Sequence, residues 1–121
     1  MLVVDDNRDI ADTMVALLKT ENHTASACYD GAHVIDCIRR QDPDVVLLDI
    51  GLPNKSGWEV AEEIRKRFSP GRPMLIGVSG EYMKDSDRIL AKMRGFDYYL
   101  VKPADPDVVL TLVRQAPLRQ R

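Results

Sequence analysis

The chain has 121 residues, the size of one domain that can bury its own core, and its composition is that of an ordinary globular protein, with 45% hydrophobic and 30% charged residues. The net charge of −2 argues against direct binding of nucleic acid, because a phosphate backbone needs a clustered basic surface. No apolar run approaches the roughly 20 residues that cross a bilayer, so we expect a cytoplasmic protein that does not contact a membrane.

Short apolar runs rich in β-forming residues alternate with segments of helical periodicity, five times along the chain. Two runs, Val45–Leu48 and Met74–Val78, are almost continuously apolar, as strands covered on both faces are. The first run, Met1-Leu2-Val3-Val4, begins at the first residue, so we expect either a very short strand or a piece cut from a longer protein. The predicted strands, in chain order, are Leu2–Val4, Thr24–Tyr29, Val45–Leu48, Met74–Val78 and Tyr98–Val101.

Apolar residues three and four positions apart predict a helix after each strand. Asp30 is a suitable cap for the second helix, Asp42 and Pro43 stop that helix, and Gly95 ends the fourth. The expected core-facing residues of the five helices are Ile10, Met14, Leu17 and Leu18; Val34, Ile35 and Ile38; Val60, Ile64 and Phe68; Ile89, Leu90 and Met93; and Val108, Val109, Leu112 and Val113.

Five strand–helix alternations predict an α/β fold with a parallel sheet and helices on both faces. Right-handed crossovers then give a doubly wound, flavodoxin-like (βα)5 domain with strand order 2-1-3-4-5. We expect one domain over residues 1–121, with residues 116–121 as a tail or linker. Cys28 and Cys37 are too few for a disulfide framework, and we expect both to be reduced, partly buried thiols.

Polar residues follow four of the five predicted strands. They are Asp5 and Asp6 after the first, Asp49 after the third, Ser79 after the fourth and Lys102 after the fifth. Each alone could be a cap or a turn residue, but the carboxyl ends of parallel strands share one edge of the sheet. Three carboxylates at that edge would repel one another unless positive charge lies among them. Mg²⁺, with its preference for oxygen ligands, meets that need together with Lys102.

Two other kinds of site use a similar sheet. A flavin or dinucleotide site needs glycine or hydroxyl residues after the first strand, and Asp5-Asp6-Asn7 would repel phosphate there. A metal-dependent phosphatase or nuclease would need an added general acid or base, which Asn7 and Arg8 do not obviously supply. Turnover of a phosphate ester would distinguish that enzyme from a protein that labels only itself.

Taken in order, these motifs resemble the receiver domains of two-component response regulators, and the resemblance covers essentially the whole chain. No single motif is decisive, but the full set, each at its own strand end, is highly specific. The residues that carry it are Val3-Val4-Asp5-Asp6, Val45-Val46-Leu47-Leu48-Asp49, Pro53, Gly57, Ser79 and Lys102-Pro103.

The resemblance implies a phosphorylation site and a metal site. Asp49 would accept a phosphoryl group from a histidine kinase or a histidine phosphotransfer protein. Asp6 would bind Mg²⁺ directly, and Asp5 would act through a bound water or by contacting a group that binds the metal. Asp49 and the backbone carbonyl of Gly51 would complete the site. Such a domain catalyses only its own phosphorylation and dephosphorylation and is otherwise not an enzyme.

The resemblance also implies a switch. Ser79 would bind the phosphoryl group and Lys102 would pair with it. The Lys102-Pro103 peptide would be cis, and Tyr99 would occupy the aromatic switch position. Gly51 and Glu81 stand at the two positions that tune the lifetime of the phosphoaspartate in this family.

The same resemblance gives an output surface and one alternative function. Partners are expected on the face formed by the fourth helix, fifth strand and fifth helix, where an output domain, an effector protein or a second, phosphorylated copy would bind. The alternative is a degenerate receiver that serves as a docking module without phosphorylation. The chain could stand alone, or come from a hybrid histidine kinase or a multidomain regulator.

Overall fold

The computed structural model of the chain describes residues 1–53, 55–68, 72–80 and 85–115, with the side chains of residues 85–88 set aside. The described residues form five strands and five α-helices, which alternate along the chain. The strands are β1 (Leu2–Val4), β2 (Ser26–Cys28), β3 (Val45–Asp49), β4 (Met74–Ser79) and β5 (Tyr98–Val101). The helices are α1 (Arg8–Thr20), α2 (Val34–Gln41, preceded by a 3-10 turn at Gly31–His33), α3 (Gly57–Arg67), α4 (Asp85–Met93) and α5 (Pro106–Val113).

The sheet has the predicted order, β2-β1-β3-β4-β5, and every neighbouring pair is parallel. β2 is shorter than predicted because β1 offers it only three partners, from Leu2 opposite Ser26 to Val4 opposite Cys28. β3 and β4 are each one residue longer than predicted. Asp49 and Ser79 are therefore the last residues of their strands and do not follow them.

Two apolar clusters cover the two faces of the sheet. One contains side chains from α2, α3 and α4, with Val46, Leu48 and Leu75 of the central strands. The other contains side chains from α1 and α5, with Leu47 and Ile76. β3 lies between the clusters and all five of its residues are buried, as the continuous apolar run predicted.

The sequence pattern misassigned part of three helix faces. In α5 the error is one residue, Val108, which was expected in the core and is 41% exposed. In α1, Ile10 is 47% exposed and Leu17 is 41% exposed. Met14 and Leu18 are buried as predicted, and Ala11 is buried with them. Ile10 and Leu17 lie next to the core face of the helix, and their apolar spacing alone does not show that they are outside it.

The error is larger in α4. Ile89, Leu90 and Met93 are 63%, 44% and 79% exposed, and Ala91 is the buried residue. Successive residues of a helix are about 100° apart, so Ile89 and Met93 point roughly opposite to Ala91. The small side chain lets α4 approach the sheet, which leaves the large apolar residues outside.

The predicted helix boundaries agree with the structure. Asp30 accepts a hydrogen bond from the amide of Ala32 and caps the 3-10 turn that leads into α2. Asp42 ends α2 in the left-handed region at φ 48°, and Gly95 follows α4 at φ 113°, a value that favours glycine. Asn7 caps α1 through its side chain, which accepts from the amide of Ile10.

Cys28 and Cys37 are both buried and are not joined by a disulfide. Burial raises the pKa of the Cys28 thiol to about 11, so it stays protonated at neutral pH. Among the described helices, none combines the length and the apolar character that a bilayer crossing requires.

Gly57 is a second position where only glycine fits, for a different reason. Its amide donates to the carbonyl of Ile50 over 3.0 Å, which brings the start of α3 against the end of β3. A Cβ atom on Gly57 would lie 2.5 Å from the Cα of Ile50 and 2.7 Å from the carbonyl oxygen of Asp49. Both are backbone atoms, so the contact cannot be relieved by a side-chain rotation.

We therefore predict that Gly57→Ala lowers the free energy of unfolding by about 1–3 kcal/mol, the usual cost of overpacking. The measurement is urea denaturation. Gly80→Ala is the matched control, because no heavy atom lies within 4 Å of a Cβ built there. Equal stability of the two variants would contradict the close approach at Gly57.

Candidate functional site

Three carboxylates meet at the carboxyl edge of the sheet. Asp5 and Asp6 follow β1, Asp49 ends the adjacent strand β3, and one carboxylate oxygen of each lies within 4.8 Å of the others. Asp5 and Asp49 are each only 5% exposed, whereas Asp6 is exposed to solvent. The predicted gathering of these residues at one edge is thus what the fold produces.

Backbone amides fix two of the carboxylates. Oδ1 of Asp5 accepts from the amide of Asn7 over 2.9 Å, and Oδ1 of Asp49 accepts from the amide of Gly51 over 2.9 Å. In each case the partner is two residues along the chain, where the backbone turns away from the strand. Each of these oxygens is held in place by its own loop.

Lys102 occupies the space between the two buried carboxylates. Its Nζ donates to Oδ2 of Asp49 over 2.9 Å and lies 3.3 Å from Oδ2 of Asp5. The backbone of Lys102 is fixed as well, because its amide donates to the carbonyl of Ser79 over 2.7 Å. The Lys102–Pro103 peptide is cis, as the family resemblance implied. Ser79 and Lys102 are therefore neighbours at the same edge as the carboxylates.

The electrostatics of the group are unbalanced toward negative charge. Burial raises the pKa of Asp5, and the nearby charge of Asp49 raises it further, against the opposing effects of the Asn7 amide and of Lys102. Burial alone would lower the pKa of Lys102, but its bond to Asp49 and the charges of Asp49 and Asp5 outweigh this and raise it. The group thus has three carboxylates and one ammonium group, which contacts two of them, so a further cation would be bound favourably.

The donor set fits magnesium. The site offers carboxylate oxygens from three side chains, two of them buried, and one of the three is open to water. Mg²⁺ binds proteins through a few carboxylate oxygens and keeps several waters, so an exposed carboxylate at the mouth suits it. The contribution of the Gly51 carbonyl stays a prediction.

The remaining predicted residues lie elsewhere or outside the described part. Tyr99 is 8% exposed and packs against Trp58 and Phe96, away from the carboxylates. Glu81 lies outside the described residues. Sequence reasoning missed the two roles of Asn7, whose amide holds Asp5 and whose side chain caps α1. The preference of asparagine for helix caps was the signal that could have indicated it.

A largely apolar cleft of about 580 Å³ opens beside the carboxylates. Its lining includes Asp5, Asp49 and Lys102, apolar residues of β1, β3 and β4, one side of α1, and the segment that leads into α5. Ile10 and Leu17, the exposed apolar residues of α1, belong to its wall. The buried residue Asp49 therefore borders an apolar cleft.

Comparison with known proteins gives consistent results. The model of the response regulator receiver domain matches residues 1–114, from before β1 to just past α5. The BeF3-activated N-terminal receiver domain of Klebsiella pneumoniae RstA is 27% identical, with a TM-score of 0.83 over 98% of this chain and 97% of that one. The receiver domain of NtrX from Brucella abortus is 28% identical, with a TM-score of 0.81 over 94% of each chain. Chemotaxis protein CheY4 of Vibrio cholerae, at 21% identity and a TM-score of 0.85 over 96% of each chain, shares the fold.

We predict that Mg²⁺ stabilises the protein through the three carboxylates. At about 100 times its dissociation constant, a ligand of the native state adds about 2.7 kcal/mol to the free energy of unfolding. Asp6→Asn should remove most of this gain, and because Asp6 is exposed the substitution should leave the metal-free stability nearly unchanged. The measurement is thermal unfolding with and without Mg²⁺.

Asp36→Asn is the control for this experiment, since Asp36 is an exposed acidic residue in the first turn of α2. The control should keep the full Mg²⁺ effect. Equal Mg²⁺ stabilisation of both variants would place the cation elsewhere or show that it binds without specificity.

Proposed function

The chain belongs to the family of response regulator receiver domains, and we propose that Asp49 is the residue that accepts the phosphoryl group. Receiver domains are phosphoacceptors of two-component signalling and not classical enzymes with a separate substrate. The observation that carries the proposal is the contact between the Lys102 ammonium and the buried Asp49 carboxylate, 2.9 Å apart, within the acidic cluster.

The strand order supports Asp49 over the other two carboxylates. β3 lies between β1 and β4, so Asp49 has Asp5 and Asp6 on one side and Ser79 with Lys102 on the other. A group bound to Asp49 would be within reach of both sides. Asp5 also contacts Lys102, but at 3.3 Å against 2.9 Å for Asp49, and β3 separates β1 from the strand that ends in Ser79.

Receiver domains use Mg²⁺ at an acidic pocket, and here Asp5, Asp6 and Asp49 are the proposed holders, with the carbonyl of Gly51. A cation bound there would offset the negative charge of the phosphoryl oxygens as they approach the carboxylates. Without it, Lys102 is the single positive side chain in contact with Asp49 among the described residues.

The proposed reaction is a direct phosphoryl transfer. A carboxylate oxygen of Asp49 attacks the phosphorus of a donor phosphohistidine, a P–O bond forms, and the P–N bond breaks as the imidazole leaves. Lys102 releases the Asp49 carboxylate and pairs with a phosphoryl oxygen, and Ser79 donates its hydroxyl to another. Most of the acceleration comes from position and charge, as in phosphoryl transfer generally.

The product would change both charge and packing. A phosphoryl group brings close to two negative charges and three strong acceptor oxygens to the end of β3. Ser79 would move toward it, and Tyr99, two strand positions before the end of β5, would respond. The event at the carboxyl edge would thereby reach α4, β5 and α5.

Receiver domains interact with histidine kinases and with output domains, and we propose a surface of this chain for each. A histidine kinase or phosphotransfer protein would present its phosphohistidine through the cleft beside α1. An output domain, an effector or a second copy would bind the α4–β5–α5 face, whose exposed apolar side chains would otherwise face water. Those side chains are Ile89, Leu90, Met93, Val101 and Val108.

Three further points complete the proposal. The domain comprises residues 1–121, with 116–121 as a tail or linker, and it acts in the cytoplasm. Gly51 and Glu81 tune the lifetime of the phosphoaspartate. Gly51 is exposed and has no side chain to shield Asp49 from attacking water.

We predict that the protein labels itself stoichiometrically with acetyl phosphate and Mg²⁺, and that Asp49→Asn abolishes the label because the amide cannot form an acyl phosphate. The label should be lost on treatment with base. Intact mass spectrometry measures both. Asp36→Asn, at an exposed position in the first turn of α2, should label like the wild type.

A label that persists in Asp49→Asn would refute Asp49 as the acceptor. An unlabelled wild type that still binds a partner through the α4–β5–α5 face would instead favour a docking module that works without phosphorylation. Catalytic turnover of phosphate esters would favour a metal-dependent phosphatase.

A further inference from the structure

We propose that Trp58 is a positioning residue for Tyr99, and that the stacking of the two rings sets how strongly the Asp49 site controls the α4–β5–α5 face. This inference rests on the proposed function, because it gives Tyr99 the role of a switch. Trp58 stands in the first turn of α3, a helix to which the reaction itself assigns no part.

The start of α3 is bound to the backbone that carries Asp49. Gly57 donates its amide to Ile50, and its Cα packs against the backbone of Asp49 and Ile50 so closely that a Cβ does not fit. Trp58 is the next residue. A displacement of the backbone at Asp49 or Ile50 is therefore transmitted to the position of the Trp58 indole, because neither contact contains a flexible side chain.

The indole then contacts the switch residue. The rings of Trp58 and Tyr99 are stacked, with centroids 6.3 Å apart and planes 21° apart. Phe96 meets both rings edge to face, 5.6 Å from Trp58 and 6.4 Å from Tyr99. We call these three residues the aromatic cluster. Separations of this size are those of favourable aromatic pairs.

The cluster also reaches back toward the active edge through Phe96. Its ring lies against Gly77 of β4, where an added Cβ would be 3.0 Å from two ring atoms and 3.2 Å from Cδ1 of Ile50. Gly77 is paired with Tyr99 in the sheet. Ile50, the neighbour of Asp49, therefore approaches the cluster by its side chain as well as by its backbone.

Arg94 connects the same indole to α4. The guanidinium carbon of Arg94, just past the end of α4, lies 5.5 Å from the centre of the Trp58 ring, and Nη1 is 3.3 Å from Oε1 of Glu62 on α3. A cation over an indole is a stabilising contact. Trp58 thus touches β5 through Tyr99 and the end of α4 through Arg94, and both belong to the proposed output face.

These contacts assign Trp58 a role that burial alone does not require. It is only partly buried at the margin of the core, and its ring contacts Tyr99, Phe96 and Arg94. Removing the indole should leave Asp49 and its chemistry in place and allow Tyr99 to leave its buried position. Tyr99 is 8% exposed with the stack intact.

The test uses the full chain labelled with 3-fluorotyrosine and followed by ¹⁹F NMR, with Tyr99→Phe to assign the Tyr99 signal. The solvent isotope shift of that signal reports exposure of the ring. Trp58→Leu should lower the ratio of buried to exposed Tyr99 by about threefold to tenfold, the range that loss of one aromatic pair produces. The initial rate of Asp49 labelling by acetyl phosphate should remain that of the wild type.

Two variants separate positioning from general loosening of the core. Trp58→Phe keeps a ring that can stack and should restore most of the buried Tyr99. Phe68→Leu removes an aromatic side chain that packs on the same core at the other end of α3, and should leave the Tyr99 signal unchanged. An unchanged Tyr99 signal in Trp58→Leu, or an equal change in Phe68→Leu, would overturn the inference.

Beryllofluoride with Mg²⁺ distinguishes this failure from failure of the proposed function. In the wild type it should shift the Tyr99 signal, and in Trp58→Leu the shift should be smaller although Asp49 still reacts. Absence of any shift in a wild type that labels on Asp49 would remove the switch role of Tyr99 and this inference with it. A shift of equal size in both proteins would leave the proposed function standing and refute the part given to Trp58.

Discussion

The structure depends on one ammonium group held between two buried carboxylates. Lys102 contacts Asp49 and Asp5 at once, and the three residues come from the carboxyl ends of three separate strands, β5, β3 and β1. Burying two like charges side by side is unfavourable unless positive charge lies between them. Lys102 supplies part of that charge and leaves the third carboxylate, Asp6, without it. The two buried carboxylates are consequently tolerated in the folded protein, but the net charge of the group remains negative. That negative charge favours binding of Mg²⁺.

The parallel sheet links the end of β3, where Asp49 lies, to the helices packed on both faces. Its order puts β3 in the centre, with both faces covered by separate apolar clusters, so the end of β3 cannot shift without affecting the elements packed on it. The close approach of Gly57 to Ile50 binds α3 to that point. The aromatic cluster then lies between α3 and β5. Charge added at Asp49, as proposed, would therefore meet a continuous series of packed side chains that ends at the proposed output face.

Sequence reasoning found the fold and the acidic edge because both follow from the order of the elements. Once strands alternate with helices, the sheet is parallel and the carboxyl ends of its strands share one edge. Asp5, Asp49 and Lys102 stand at those ends and therefore come together. The choice of buried helix face was less certain, and in α4 small Ala91 displaced the larger Ile89 and Met93 from the sheet. Contacts between distant residues left no local trace at all. The stacking of Trp58 on Tyr99 is such a contact, because it depends on the relative position of α3 and β5.

The central claim is that Lys102 and the metal ion compete to neutralise the same carboxylates, and Mg²⁺ affinity tests it most directly. Lys102→Gln removes a positive charge from beside the metal site, so calorimetric titration should give Mg²⁺ binding tighter on the order of tenfold than in the wild type. Lys55→Gln, at a lysine that pairs with Glu63, should bind Mg²⁺ like the wild type. Unchanged or weaker Mg²⁺ binding by Lys102→Gln would contradict the account.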